Sequence, residues 1–383
     1  MTDPFIQLEK LTKTFPGIAE PAVDSLDLDV HEGEIVMLVG PSGCGKTTTM
    51  KMINRLVEPS SGRIVIDGQD VTDANPDELR RSIGYVIQQG GLFPHMRVRD
   101  NVAAVLQLLK WPAARIAPRV DEMLDLVGLD PSEYRDRYPK QLSGGQRQRV
   151  GVARALAADP PIMLLDEPFG AVDPIVREHL QNEFLRLQQE ICKTIVFVTH
   201  DLAEAVKMGD RIAIVGDHSV VAQFDAPARI LAYPANDFVH DFLGENAELR
   251  ALSLIEISPD MLSNFPSISV ARGNVESAQV QGPASVVLEA GQPVGWLTVD
   301  AGERHFLPVK PLALGPETTL SDALGQMVRD GAPAAILVDD AGHLAGCLEF
   351  SAVPRAVARA AASSSVSRRP RTEEEVSGVD HDV

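Results

Sequence analysis

Apolar residues recur along this chain with two periods, and the alternation between them predicts its elements. Leu26, Leu28 and Val30 alternate with Asp27 and Asp29, the pattern of a half-buried strand. The runs IVMLV (35–39), IMLL (162–165) and IVFV (195–198) are apolar throughout and read as buried strands; each is followed by polar residues and then a helical pattern. Ile64 and Ile66 precede Asp67-Gly68, a hairpin turn signal. Leu180, Phe184, Leu187 and Ile191 fall at i, i+4, i+7 and i+11, one face of an amphipathic helix. Strands separated by helices predict a parallel α/β sheet.

From about 90 to 160 the pattern differs. VAAVLQLLKW, RVDEMLDLVGL and RVGVARALA are helical and no strand run separates them, which predicts a helical insert within an α/β domain of residues 1–243. Beyond it, SVVLEAGQPVGWL (285–297) and AAILVDDAGHLAGCL (334–348) each run from an apolar strand through a glycine-containing turn into a second strand. The second follows a helical stretch, LSDALGQMVRDG (320–331). These segments of a region 244–358 are either a weak internal duplication or two unrelated hairpins. Residues 359–383 turn to Ala/Ser and then to charge, the composition of a disordered tail.

The length of 383 residues suggests two or three domains at roughly 150 residues each. With 35 Lys+Arg against 54 Asp+Glu the net charge is -19, which argues against a nucleic-acid partner bound through its phosphates. Aromatics at 5% make a base- or sugar-stacking platform unexpected. Cys44, Cys192 and Cys347 lie far apart and form no disulfide framework, as fits a reducing compartment. The opening MTDPFIQLEK has no apolar stretch, so no secretory leader is expected. No apolar run approaches the ~18 residues of a membrane span, so a role at a membrane requires another subunit to hold the chain there.

Candidate chemistry begins at Gly40-Pro41-Ser42-Gly43-Cys44-Gly45-Lys46-Thr47, which matches GxxxxGK[ST] between an apolar strand and a helical run (TTTMKMINRL). Glycines let backbone N–H groups close around phosphate oxygens, and the helix N-terminus adds favourable partial charge; Thr48 sits in that first turn. Lys46 would reach the β- and γ-phosphates and the Thr47 hydroxyl would help hold Mg2+. The strand 162–165 ends in Asp166 and Glu167. Beside a phosphate loop, Asp166 reads as a Mg2+ ligand and Glu167 as the general base that polarises an attacking water.

Leu142-Ser143-Gly144-Gly145-Gln146 carries an S-x-x-Q capping box at the start of a helix expected over 146–158. A cap alone does not need two adjacent glycines, which weaken a helix; they suggest close approach to an anion. Since the loop 40–47 already cradles one nucleotide, this helix end would serve that of another copy. His200 ends the strand IVFV beside Asp166 and Glu167 and is either structural or a γ-phosphate hydrogen-bond partner. Gln88 ends the strand IGYVI and is either an ordinary strand-end residue or a group that reaches Mg2+ or the water.

These elements, in this order, resemble the ATP-binding subunit of ATP-binding-cassette (ABC) transporters over residues from about 5 to 243. GPSGCGKT (40–47) looks like the Walker A motif, Gln88 the Q-loop, LSGGQ (142–146) the signature, IMLLDE (162–167) Walker B with the switch glutamate, GAVD (170–173) the D-loop with Asp173, and His200 the H-loop. Phe15 sits where the family keeps an adenine-stacking aromatic, and Val172 replaces the usual Leu. The resemblance implies a P-loop NTPase fold, ATP and Mg2+ as ligands, and a head-to-tail homodimer in which Ser143, Gly144 and Gly145 of one copy face the γ-phosphate at Lys46 of the other. It also implies that the helical insert, with LFPHMRV (92–98), grips a membrane permease, placing the chain on the cytoplasmic face of the cell membrane.

GPSGCGKTTTMKMINRLVEPSSG (40–62), RRSIGYVIQQGGLFPHM (80–96), LLKWP (108–112) and DEPFGAVDPIVREHLQ (166–181) look like the glycine betaine/carnitine/choline branch of importers. That branch takes up compatible solutes with an extracellular binding protein, and often carries a C-terminal pair of cystathionine-β-synthase (CBS)-type modules. TLSDALGQMVRDGAPAAILVDDAGHLAGCLEF (319–350) fits such a module best. The alternatives are import of another small solute such as an amino acid, a soluble cassette ATPase acting on DNA or ribosomes, and a regulatory protein with a vestigial cassette.

Overall fold

The computed structural model describes residues 3–72, 74–87, 91–170, 173–245, 247–271, 282–300, 303–315 and 317–363. Gln88 and Val172 lie outside them, as does the tail from 364 onward. The chain divides into two compact units, Met1–Ile230 with Ala235–Phe242, and Leu231–Pro234 with Leu243–Val383.

The first unit opens with strands β1 (Ile6–Lys13) and β2 (Val23–Val30), then β3 (Ile35–Val39), helix α1 (Lys46–Ile53), β4 (Ser61–Ile66) and β5 (Gln69–Asp70). Asp67 and Gly68 join β4 to β5 with φ of 49° and 70°, the left-handed pair that a tight hairpin needs. α2 (Pro76–Arg81) and β6 (Ile83–Val86) follow, then four helices, α3 (Val98–Leu108), α4 (Ala113–Leu126), α5 (Pro131–Tyr134) and α6 (Gly144–Leu156). No strand interrupts residues 91–161, so the helical insert is present. The unit continues with β7 (Ile162–Asp166), α7 (Pro174–Ile191), β8 (Thr194–Thr199), α8 (Leu202–Met208), β9 (Arg211–Val215) and β10 (Val221–Asp225), and reaches α9 (Pro227–Ala232) and α10 (Asp237–Leu243).

Two sheets organise this unit. The six-stranded sheet runs β10-β9-β3-β8-β7-β6, with every pair parallel except β10–β9. Its central strands are buried on both faces, which is why their sequences are apolar without alternation. The four-stranded sheet β2-β1-β4-β5 is antiparallel, and the alternating burial of β2 matches its alternating sequence. Its Leu8, Leu11 and Leu28 share one core with Met50 and Ile53 of α1 and with Val36, Val196 and Leu164 of the six-stranded sheet. On α7, Leu180, Phe184 and Leu187 are buried as the periodicity predicts, and Phe169 stands edge-on to Phe184 at 6.3 Å and 5.9 Å from Phe197.

The second unit contains α11 (Ala247–Ala251) and two small sheets. One runs in the order β11 (Ser267–Val270), β12 (Ala284–Glu289), β13 (Gln292–Asp300), β14 (Glu303–Pro308). The other runs β15 (Leu312–Ala313), β16 (Ala334–Val338), β17 (Leu344–Glu349), with α12 (Leu320–Asp330) and α13 (Val353–Ser363) contributing to its core. The start of the expected tail, 359–363, is therefore helical. In both sheets the first pair is parallel and the second is an antiparallel hairpin. The register breaks at Val287/Leu288 in one hairpin and Leu337/Val338 in the other, with Gly295 opposite Val287 and Gly346 opposite Leu337. The likeness of the two sequence segments is thus also a likeness of topology and register.

Candidate nucleotide-binding site

Strand order places the candidate groups. β8 lies between β3 and β7, and all three run parallel, so their C-terminal ends share one edge of the sheet. From that edge emerge the loop 40–47 after β3, His200 after β8, and Asp166 with Glu167 at the end of β7. β6, which leads toward Gln88, is the next neighbour of β7.

The loop has a buried inner side and an exposed rim. Pro41, Ser42 and Gly43 are exposed, whereas Cys44 and Lys46 are buried. Gly45 is the N-cap of α1 with φ 108°. The Lys46 ammonium donates to the carbonyls of Gly40 and Pro41, both at 2.8 Å, and lies 3.6 Å from the Cys44 sulfur. No ion pair to it is found among the described residues; its hydrogen bonds go to neutral acceptors, while its charge also lowers the pKa of nearby Asp166. The Thr47 hydroxyl donates to Asp166 Oδ1 at 3.1 Å, which sets two oxygens side by side. Asp166 is buried, and burial raises its pKa above the ordinary carboxylate range; the Thr47 hydrogen bond lowers it and nearby Glu167 raises it further. Thr48 lies half-buried in the first turn of α1.

Glu167 is half-buried with φ 45°, a left-handed conformation uncommon for a non-glycine residue, and its N–H bonds the Val198 carbonyl at 2.9 Å. Its Oε1 stands 3.1 Å from His200 Nδ1. The histidine side chain is 59% exposed, so this pair opens to solvent. Phe15 is half-buried beside β1, with the Lys13 ammonium 5.2 Å from its ring centre.

Ser143 and Gln146 form the expected capping box: Gln146 N–H donates to Ser143 Oγ at 3.2 Å, and Ser143 N–H to Gln146 Oε1 at 2.9 Å. The helix begins at Gly144, two residues before the expected start, because the serine cap initiates it. Gly144 and Gly145 therefore occupy its first turn, where backbone donors have no intrahelical partner, and Ser143 and Gly144 are exposed. No hydrogen bond or ion pair joins residues 142–146 to the loop 40–47 among the described residues. Asp173 is exposed and caps α7, its Oδ1 accepting the Val176 N–H at 3.1 Å.

Two further side chains shape these loops without any motif to announce them. Ser219, 1% exposed, donates to the Cys44 carbonyl at 2.8 Å, across a separation of 175 residues. Tyr134 OH accepts from Gln146 Nε2 at 3.1 Å, so the Gln146 amide is bonded on both ends. Neither position stands in a periodic or motif context, so the sequence carries no signal for either.

Comparison with known proteins agrees with this geometry. The ABC transporter family model matches residues 23–170. The glycine betaine/carnitine/choline transport ATP-binding protein OpuCA of Bacillus subtilis (strain 168) is 45% identical over 359 residues, 89% of this chain and 93% of that protein. The osmoprotectant import ATP-binding protein OsmV of Salmonella typhimurium is 48% identical over 303 residues, 76% of this chain and 78% of that protein. Among solved structures, a dimeric ATP-binding cassette in a post-hydrolysis state bound to ADP and Pi superposes with a TM-score of 0.53 at 36% identity, covering 58% of this chain and 98% of that one. Fold, site and relatives agree, and the chain belongs to the ATP-binding subunits of the ABC transporter family.

Proposed function

We propose that this chain energises uptake of a quaternary-ammonium compatible solute by hydrolysing ATP on the cytoplasmic side of a separate membrane permease. The observation that carries the catalytic part is the convergence of Lys46, Thr47, Asp166, Glu167 and His200 on one sheet edge. The solute class is supported by the Bacillus relative, whose match extends well beyond the cassette into the second unit. No helix among the described residues is long and apolar enough to cross a membrane, which fits a subunit that engages a permease.

The residues divide the work. Backbone N–H groups of Gly43 to Thr48 cradle the phosphates, and Lys46 exchanges the neutral carbonyls of Gly40 and Pro41 for anionic oxygens, a stronger class of hydrogen bond. Phe15 stacks on the adenine. The paired oxygens of Thr47 and Asp166 suit a hard cation, and with Gln88 they would hold Mg2+, which when bound neutralises phosphate charge. Glu167 takes the proton of the attacking water as the bond to the departing ADP breaks, and His200 orients the glutamate and the γ-phosphate. Ser143, Gly144 and Gly145 meet the γ-phosphate of a second copy in a head-to-tail dimer, with Gln146 holding that turn in shape and Asp173 at the seam.

The second unit is a degenerate pair of CBS-type modules on this reading, supported by the shared register of its two hairpins. An extracellular solute-binding protein completes the assembly. The test is Glu167→Gln: the purified variant is expected to dimerise on adding ATP and to hydrolyse almost none. A variant that stays monomeric with ATP refutes the shared-site arrangement. Co-purification of the chain with ribosomes rather than a permease refutes the transport role.

A further inference from the structure

Behind His200 lies a buried polar cluster that no nucleotide motif includes. Glu204, in the first turn of α8, is 6% exposed. Its Oε1 accepts from Gln181 Nε2 of α7 at 3.1 Å. Thr199 is the last residue of β8 and directly precedes His200; its side-chain oxygen accepts the Asp201 N–H at 3.0 Å. Asp201 in turn caps α8 through Ala203 N at 2.8 Å and Glu204 N at 3.3 Å, and meets Arg177 of α7 at 3.5 Å. Arg177 and Gln181 are one turn apart on the helix whose N-cap is Asp173.

A carboxylate removed from water costs several kcal/mol unless donors replace its hydration. Burial accordingly raises the Glu204 pKa, and the Thr199 and Gln181 donors act against that rise. Gln181 lies on α7, and Asp201 bonds both the Thr199 side chain and the Glu204 N–H, so these bonds hold α7, the end of β8 and α8 against one another. We propose that Glu204 is a positioning residue for His200, holding α8 to α7 through Gln181 while Asp201, at the cap of α8, bonds Thr199, and so tying the helix that begins at Asp173 to the histidine that meets Glu167. The inference rests on the ATPase reading above and adds the route by which the Asp173 end of α7 sets His200. Glu204 touches no substrate; its effect passes through the placement of the imidazole.

Glu204→Met keeps the bulk and removes the acceptor, whereas Glu204→Gln keeps an acceptor oxygen. Thr199→Val removes the hydroxyl without touching the carboxylate, and Thr199→Ser keeps it. Steady-state ATP hydrolysis by the full chain, with binding of a fluorescent ATP analogue as the check on folding, separates the outcomes. Misplacing a reacting group by an ångström costs up to about a hundredfold, so Glu204→Met and Thr199→Val should each lose roughly ten- to a hundredfold in kcat with little change in KM for ATP. Glu204→Gln and Thr199→Ser should recover most of it. Wild-type kcat in folded Glu204→Met or Thr199→Val, or a loss confined to KM, overturns the proposal. If the wild-type chain itself hydrolyses no ATP, the reading beneath it falls instead.

Discussion

Gly45→Ala tests whether the phosphate loop is built around a missing side chain. A β-carbon at Gly45 would lie 2.2 Å from Ser219 Oγ and 2.4 Å from the Ala22 carbonyl oxygen, at a φ of 108°. Neither neighbour can yield cheaply: Ser219 donates to the Cys44 carbonyl at 2.8 Å, and the Ala22 N–H bonds the Lys13 carbonyl at 2.7 Å. Left-handed backbone costs an L-residue roughly 1–2 kcal/mol, and forcing a group into packed space roughly 1–3 kcal/mol. The sum, about 2–5 kcal/mol, lowers the melting temperature by ~4–20 °C at ~2–4 °C per kcal/mol. Gly43→Ala is the contrast. Its φ is 86°, but no atom stands within 4 Å of the added carbon, so only the backbone part applies, about 1–2 kcal/mol. Melting followed by circular dichroism without nucleotide measures both. The two variants should differ by the packing part, with Gly45→Ala the weaker fold; equal midpoints, or a more stable Gly45→Ala, refute the argument.

Asp166→Asn should raise the stability of the chain at neutral pH while abolishing hydrolysis. A carboxyl whose pKa is raised by folding stabilises the fold below its ordinary value near ~3.9 and loses that contribution as pH rises through the raised one, so the variant's advantage opens with rising pH; melting curves from pH 4 to 8 check this. Ser219→Ala leaves the Cys44 carbonyl without its donor, costing ~1–3 kcal/mol; KM for ATP should rise more than kcat falls. Trp296→Ala removes a fully buried ring that donates to the Ala334 carbonyl at 3.1 Å, and should cost ~3–5 kcal/mol in the second unit, seen as earlier urea unfolding and proteolysis beyond residue 243 with ATP binding retained.

The legible parts of this chain are those whose cause is local. A strand buried on both faces is apolar through its middle, so Ile35–Val39 and the run Ile195–Val198 within β8 announce themselves. Asp67-Gly68 permits two consecutive left-handed residues, and Ser143 reaches only three residues to close its cap. Ser219 is the opposite case. Its hydroxyl matters because β9 lies beside β3, which brings the turn at His218 and Ser219, with φ of 57° and 59°, beneath the phosphate loop. That adjacency is a product of the sheet order and has no local trace. The helix start shows the middle ground: the capping residues were readable, but the glycine pair that follows reads as loop until the cap is taken as the boundary.

The two hairpins of the second unit share a register that their sequences show only weakly, and the reason is physical. Ala284, Val286 and Trp296 of one hairpin hold the same register positions as Ala334, Ile336 and Cys347 of the other, and all six are buried in one core. The turns are juxtaposed reciprocally: a β-carbon at Gly342 would meet Gln292 Nε2 at 2.9 Å, and one at Gly291 would stand 4.0 Å from His343. Equivalent positions that pack against each other have to fill one shared volume. A large ring on one side is then compatible with a small group on the other, as Trp296 and Cys347 are, and two large ones would overpack. Packing of equivalent positions in one core therefore selects complementary side chains where sequence comparison looks for identical ones, while the opposite faces pack elsewhere: Leu337 and Leu348 share a core with Leu320 and Val353, and Val287 and Leu297 with Ile268 and Val270. What persists is what the backbone itself requires: the register break and the glycine opposite it.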